Sequence, residues 1–243
     1  MEVIILGHEN PDVDSMVSGF LLERLLNRRN LGIHFKFVIP DRILDEESVK
    51  VCEKYGFFVK KYQGQVNFDD SSLKYILVDH HQREVSGKIV GVIDHHPTLE
   101  DVVNIPYYTN TQASSTSCLI VQKNESEFTK EELTLAMLAA FFDTASFHST
   151  KARKKDFEWI KKWSKKLRIH WQTLYQDGLA ITPEMPTSKL AFNGLKKYNF
   201  NNILMESSYI QVINVLEKDD EIKAILAVSY THLRAHETGR NLV

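Results

Sequence analysis

Four short segments of the sequence place histidine or aspartate directly after an apolar run. They are GHENPDVDS (residues 7–15), VDHH ending at His81, IDHH ending at His96, and FFDT, which contains Asp143. Carboxylates and neutral imidazoles suit Mn²⁺, Co²⁺ or Mg²⁺ better than a structural zinc site, which usually includes thiolates. Two such ions about 3.5–4 Å apart support in-line attack on phosphorus. The residue types therefore indicate hydrolysis of a phosphoester or a phosphoanhydride.

Each segment also has an ordinary structural explanation. Asp14 and Ser15 could cap the helix that follows, and any single histidine could be a core or surface residue. Together, these explanations must account for two DHH motifs and for Asp143 at the end of an almost wholly apolar segment. An acid buried there without a cation would be costly. We therefore favour a metal site.

Apolar runs alternate with helical patterns along the first part of the chain. The runs are VIIL, FKFVI, YILV and GKIVGVI, and helical spacing occurs in residues 16–26 and 45–55. This alternation predicts an α/β fold, a parallel sheet with helices on both faces. Loops at the C-terminal ends of parallel strands meet at one edge, where such folds build their sites. Residues 131–142, EELTLAMLAAFF, predict a buried helix that leads into Asp143.

The sequence predicts three parts in the chain. Residues 1–180 form the metal-binding catalytic domain, and the two prolines of ITPEMPTSK indicate a linker. Residues 181–228, with the strand-like YIQVINV, begin a smaller and incomplete α/β domain that would bind substrate. Residues 229–243 resemble read-through of the kind found in fragmentary gene sequences, so we expect a non-native tail; a genuine polar tail is the alternative.

Composition limits the classes of partner. A formal net charge of -2 with 26% charged residues gives no overall attraction to nucleic acid or to anionic membranes. Cys52 and Cys118 are far apart, which argues against a disulfide framework and a thiolate metal site. No window approaches the ~20 apolar residues of a membrane span, and no signal peptide is recognisable. We expect a cytoplasmic protein with a small anionic phosphate substrate; a homodimer is left open.

A basic segment follows the last of the four motifs. In residues 151–171, KARKKDFEWIKKWSKKLRIHW, the apolar side chains recur at helical spacing. This pattern predicts an amphipathic helix with a solvated basic face, and an anion-binding surface is the alternative.

The motifs, in this order, resemble the DHH phosphoesterase superfamily, and within it the manganese-dependent (family II) inorganic pyrophosphatases and related exopolyphosphatases. The similarity extends over about residues 1–228. It implies hydrolysis of pyrophosphate, or of short polyphosphate, by a hydroxide that bridges two Mn²⁺ ions, with Co²⁺ or Mg²⁺ as alternatives. ASSTSCLI is similar to the small-residue stretch that opens a helix in this family.

The resemblance also implies roles for individual residues. His96 would donate a hydrogen bond to the phosphate, and Lys196 in LKKYNF would contact substrate from the second domain, with Lys197 as the alternative. Two aspartates, at positions 79 and 143, would bridge the ions. The implied metal ligands are His8, Asp12, Asp14, Asp79, His95 and Asp143.

The chain departs from the family pattern at three places. His81 stands where these pyrophosphatases usually have asparagine, Pro97 stands where an arginine often follows, and the distal Ser-Arg-Lys segment is missing, which indicates C-terminal truncation. These differences leave two other functions open. One is a phosphodiesterase for short oligonucleotides or cyclic dinucleotides, although the chain lacks the Gly-Gly pair of that branch. The other is a non-hydrolytic metal- or nucleotide-binding regulator, against which the intact ligand set argues.

Overall fold

Six parallel strands form the sheet of the first part of the chain. The structure, a computed structural model, describes residues 2–40, 44, 46–81, 85–97, 105–178, 196–200 and 203–207. The strands are β1 (Glu2–Leu6), β2 (His34–Pro40), β3 (Gln63–Gly64), β4 (Lys74–Val78), β5 (Lys88–Asp94) and β6 (Tyr107–Asn110). The order across the sheet is β3-β2-β1-β4-β5-β6, with every neighbouring pair parallel. The predicted α/β fold with a parallel sheet is confirmed.

The strand order places the sequence motifs together. The chain runs from β1 outward to β3, then returns to pair β4 with the other side of β1. Such a reversal opens a crevice outside the C-terminal ends of the two strands. His8 follows β1 and Asp79 follows β4, so both side chains enter at this point.

Six helices of the described residues connect and cover the strands. They are α1 (Val13–Arg28), α2 (Glu46–Lys54), α3 (Thr116–Gln122), α4 (Lys130–Asp143), α5 (Lys154–Leu167) and α6 (Trp171–Gly178). The predicted helical segments 16–26, 45–55 and 131–142 lie within or largely within α1, α2 and α4. Helix α4 begins with a capping box, in which Thr129 and Glu132 exchange side-chain and backbone hydrogen bonds. Short 3-10 helices occur at Val59–Tyr62 and Glu125–Glu127.

The two faces of the sheet are covered differently. Strand side chains alternate between a large core, to which all six described helices contribute, and a smaller cluster on the opposite face. Helices were expected on both faces; among the described residues, the smaller cluster is completed by side chains of connecting segments such as Val66, Phe68 and Ile105. The connection from β3 to β4, residues 65–73, contains no helix.

Helix α5 confirms the predicted amphipathic helix. Trp159, Ile160 and Trp163 are buried, whereas the lysines lie on the other side. Lys166 packs its ammonium over the Trp163 ring, 4.1 Å from the centroid. Among the described helices, none is long and apolar enough to cross a membrane. The cytoplasmic location and the homodimer stay predictions.

The chain divides into two compact units, Met1–Leu179 and Ala180–Val243. In the second unit, β7 (Lys196–Phe200) and β8 (Ile203–Ser207) form an antiparallel pair. The predicted strand YIQVINV, the linker at residues 181–189 and the tail at residues 229–243 lie outside the described residues. The assignment of the two parts as catalytic and substrate domains stays a prediction.

Candidate metal centre

The loop after β1 is held in place by Ser15. The Ser15 hydroxyl accepts a hydrogen bond from the backbone N–H of His8 at 3.0 Å. Gly7 is required here, because a Cβ at this position would lie 2.2 Å from Ser15 Oγ. The N-cap of α1 is Asp12, whose Oδ1 accepts from Ser15 N at 3.0 Å, so capping falls to Asp12 and not to Asp14 or Ser15. Asp12 Oδ2 then lies 3.5 Å from His8 Nε2.

Asp14 is buried in the first turn of α1 and is held by the start of α3. Its carboxylate accepts hydrogen bonds from the backbone N–H groups of Thr116, at 2.7 Å, and Ser117, at 3.0 Å. Ser115 is the N-cap of α3, so the stretch ASSTSCLI opens a helix as predicted. The backbone N–H groups at a helix N-terminus have no partner within the helix and stabilise a carboxylate, which fixes Asp14 at the site.

Asp79 turns the chain at the end of β4. Its φ of 63° is left-handed, a conformation that aspartate tolerates better than most residues. The side chain is 2% exposed, and Thr116 Oγ1 donates to its Oδ1 at 3.0 Å. Burial, and then the neighbouring charge of Asp14, raise the pKa of Asp79 well above its usual range. An ionised Asp79 therefore requires a nearby positive charge.

The predicted ligands converge at one place. His95 Nε2 lies 3.2 Å from Asp143 Oδ2, 3.4 Å from Asp79 Oδ1 and 3.9 Å from Asp14 Oδ2. The other oxygen of Asp79, Oδ2, lies 3.6 Å from His8 Nε2. Among the described residues, three groups have candidate ligand atoms within 4.8 Å of one another: His8, Asp12 and Asp79; Asp14, His95 and Asp143; and Asp79, His95 and His96.

The polar atoms at this place fit a bound cation. Within the described part of the chain, His8 Nε2, His95 Nε2 and Asp143 Oδ2 are buried without a hydrogen-bond partner. Such atoms are costly unless a ligand satisfies them. His95 Nδ1 contacts Ala113 O at 2.9 Å, which leaves Nε2 to face the carboxylates. The donor set, imidazole nitrogen with carboxylate oxygen, is suited to Mn²⁺.

The electrostatic field at His95 favours positive charge. Burial alone would lower the pKa of His95, but the surrounding carboxylates of Asp79, Asp14 and Asp143 raise it to about 10. Burial also raises the pKa of Asp143, although the nearby ammonium of Lys151 opposes this. A divalent cation bound among these carboxylates would stabilise their ionised forms.

Lys151 returns to the site through an unusual turn after α4. Ala145, Ser146 and Phe147 have φ values of 47°, 54° and 67°, which are rare for residues other than glycine. Ser146 Oγ donates to Tyr175 O at 2.7 Å, which helps hold this turn. Lys151 Nζ then lies 2.6 Å from Asp143 Oδ1. Sequence analysis missed this contact because Lys151 begins a basic segment interpreted as a solvated helix face.

Asp94 is a second residue that sequence analysis missed. It is fully buried, and its carboxylate binds Nδ1 of both His81 and His96, at 2.6 and 2.9 Å. Burial opposes its ionisation, but the hydrogen bonds from His96 and His81 hold the pKa of Asp94 well below its usual range. The repeated DHH pattern was a signal for this residue, since it places Asp94 where Asp79 stands in the first copy.

Asp156 supports the site from a distance. This buried carboxylate of α5 accepts from Ser114 N at 2.7 Å, just before α3, and from Gln122 Nε2 at 2.9 Å, at the end of α3. Asp156→Ala leaves these donors without their acceptor, so we expect the free energy of unfolding to fall by about 1–3 kcal/mol. Urea denaturation measures it. The exposed Asp69→Ala is the control, expected within about 0.5 kcal/mol; an equal change in both would contradict this prediction.

The chain matches a known protein family over more than half of its length. Residues 2–140 match the profile of the DHH family, N-terminal domain, and the chain therefore belongs to the DHH family. A manganese-dependent inorganic pyrophosphatase of Methanothrix thermoacetophila is 26% identical over 240 residues, which cover 93% of this chain and 75% of that protein. The resemblance found in the sequence motifs is confirmed.

Solved structures agree with this fold. A Methanococcus jannaschii chain, solved as a candidate family II inorganic pyrophosphatase, superposes with a TM-score of 0.70 at 20% identity, covering 97% of this chain and 79% of that one. An exopolyphosphatase-related protein of Bacteroides fragilis gives a TM-score of 0.53 at 17% identity, covering 81% of this chain and 62% of that one. At these identities the similarity establishes the architecture.

Proposed function

We propose that the chain is a manganese-dependent hydrolase that cleaves inorganic pyrophosphate to two phosphates. The observation that carries this proposal is the position of Asp79, whose two oxygens face two different imidazoles, His8 Nε2 at 3.6 Å and His95 Nε2 at 3.4 Å. One carboxylate between two half-sites is an arrangement that suits a pair of metal ions. The name of the Methanothrix relative suggests the substrate.

The chain offers ligands for two Mn²⁺ ions. His8 and Asp12 would hold one ion, Asp14 and His95 the other, and Asp79 would lie between them. Bound there, the ions would neutralise phosphate charge and lower the pKa of a nucleophilic water. Co²⁺ and Mg²⁺ are the alternative ions for the same imidazole and carboxylate donors.

The two aspartates predicted to bridge are placed differently. Asp79 presents both of its oxygens to the centre. Asp143 presents Oδ2, while its Oδ1 contacts the ammonium of Lys151 at 2.6 Å. A bridge by Asp143 would therefore use a single oxygen, so we assign the larger share of the bridging to Asp79.

His96 and Lys196 would act on the phosphate. The His96 side chain is 32% exposed, and Asp94 holds its Nδ1, so Nε2 is the nitrogen that would donate to a phosphate oxygen. Lys196 is the first residue of β7 in the second unit. Its ammonium would neutralise charge on the leaving phosphate.

Substitutions of the two adjacent histidines, His95 and His96, are expected to affect different quantities. His96→Gln should lower kcat by about 10²–10³-fold with little change in the Kd for Mn²⁺, because a donor to developing charge is lost. His95→Gln should instead weaken Mn²⁺ binding by at least about tenfold, because a ligand is lost. Calorimetric Mn²⁺ titration measures the Kd, and phosphate release measures kcat. The exposed His34→Gln is the matched control, and equal loss of affinity in both site variants would refute this division.

A side-by-side substrate assay tests the proposed function. Pyrophosphate, tripolyphosphate and a linear dinucleotide are each incubated with the Mn²⁺-loaded chain, and product is measured. We expect pyrophosphate to react fastest. Faster cleavage of the dinucleotide would favour a phosphodiesterase, and Mn²⁺ binding without turnover of any substrate would favour a non-hydrolytic regulator.

A further inference from the structure

Asp94 joins two histidines that come from different strands. Its Oδ2 accepts from Nδ1 of His81, which follows β4, at 2.6 Å. Its Oδ1 accepts from Nδ1 of His96, which follows β5, at 2.9 Å, and from the backbone N–H groups of His95 and His96 at 2.8 and 3.1 Å. The carboxylate therefore lies between two imidazoles, one on each oxygen.

The proposed function uses only one of these imidazoles. His81 is nearly as buried as Asp94, with a side chain that is 9% exposed. Within the residues that the structure describes, its Nε2 is buried and has no hydrogen-bond partner. The contact that His81 makes through Nδ1 is thus the one by which it can influence the site.

The hydrogen bond from His81 to Asp94 Oδ2 restricts where Asp94 Oδ1 can lie. The last torsion of an aspartate side chain is broad, so a carboxylate held at one oxygen can swing about it. A hydrogen bond on each oxygen fixes the carboxylate plane. Since His96 Nδ1 binds Oδ1, the orientation of the His96 ring follows that plane. Carboxylate partners orient imidazoles in this way at many metal sites.

We infer that His81 is a positioning residue, which acts through Asp94 to aim His96 at the phosphate. This inference rests on the proposed function, because it assigns no role to His81 apart from His96. Asparagine carries its amide nitrogen on the same Cγ atom as the Nδ1 of histidine, so either residue can donate to Asp94 Oδ2.

A double-mutant cycle tests the inference. We expect His81→Leu to lower kcat for pyrophosphate by about 10–100-fold in the unaltered chain. In the His96→Gln background the same change should lower kcat less than about twofold, because the residue it acts on is gone. His81→Asn should recover most of the loss, and the Kd for Mn²⁺ should stay unchanged. The exposed His34→Leu is the matched control.

Two results would overturn the inference. One is an equal loss from His81→Leu in both backgrounds, which is the result of a purely structural role. The other is a loss from His81→Asn as large as that from His81→Leu. Denaturation midpoints are measured for every variant, and His81→Gln, whose amide lies one carbon further out, replaces His81→Leu if the latter does not fold.

A measurement without turnover separates this inference from the proposed function. In ¹⁵N-histidine-labelled, Mg²⁺-loaded protein, the Nδ1 proton of His96 should be protected from exchange in the unaltered chain and in His81→Asn, but not in His81→Leu. If the unaltered chain does not cleave pyrophosphate, the proposed function fails, while this signal still decides whether His81 fixes His96. Equal protection in all three proteins would overturn the inference.

Discussion

Asp79→Ala is expected to lower kcat for pyrophosphate by about 10³-fold or more, the largest effect of any single substitution in the chain. The variant removes the carboxylate that faces both His8 and His95, which we propose as the shared ligand of both half-sites. Loss of one fixed electrostatic partner typically lowers a rate by about 10²–10³-fold, and here two half-sites lose it together. Phosphate release measures the rate, and calorimetry should show fewer than two Mn²⁺ ions bound. Near-normal activity and metal content would refute the ligand assignment.

The stability of a second variant, Asp79→Asn, measured without metal, provides the control for misfolding at this position. Because burial raises the pKa of Asp79 in the folded chain, its ionised form opposes folding. The stabilising contribution of this group is present at acidic pH and is lost as the pH rises through the raised pKa. At neutral pH, metal-free Asp79→Asn should therefore unfold at a temperature no lower than the unaltered chain. A clearly lower midpoint would mean that the loss of activity reflects damage to the fold.

Removal of metal is expected to abolish activity altogether. The nucleophilic water in the proposed reaction depends on bound ions, and the chain presents imidazoles and carboxylates to hold them. Dialysis against excess chelator should stop phosphate release, and Mn²⁺ or Co²⁺ should restore it. Full turnover in chelator would exclude the mechanism.

A second readout of metal binding does not depend on turnover. A ligand that binds only the folded state stabilises it, by about 2.7 kcal/mol when its concentration is a hundred times its Kd. Mn²⁺ should therefore raise the unfolding midpoint of the unaltered chain. The same concentration should raise the midpoint of Asp79→Ala much less.

The convergence of the proposed metal ligands could be predicted because strand ends are visible in sequence. His8, Asp79 and His95 each follow an apolar run, and parallel strands deliver their C-terminal ends to one edge. Asp143 was predictable because the apolar segment before it could only be a buried helix.

The two DHH motifs show where sequence stops being informative. The first copy brings Asp79 to the centre, whereas the second brings His95 and His96 and leaves Asp94 behind them. The two DHH copies have the same sequence but place different side chains in the site, because the backbone direction at each strand end decides which side chain enters it. The left-handed φ of Asp79 is not encoded by residue type. The contact of Lys151 depends on a turn of the same kind. Lys196 and the assignment of domains stay predictions.

Helix α4 and the start of α1 have a consequence for the lifetime of the chain. Asp143 ends a helix buried in the core, and Asp14 lies near the start of the sequence, so an ion held by both would join segments far apart along the chain. Such a link closes a long loop, and long loops lose the most entropy when they are closed. Each ion would then act as a reversible crosslink, and proteases would cut the metal-free protein sooner than the metal-bound protein. Manganese supply would set how long the molecule survives as well as how fast it works.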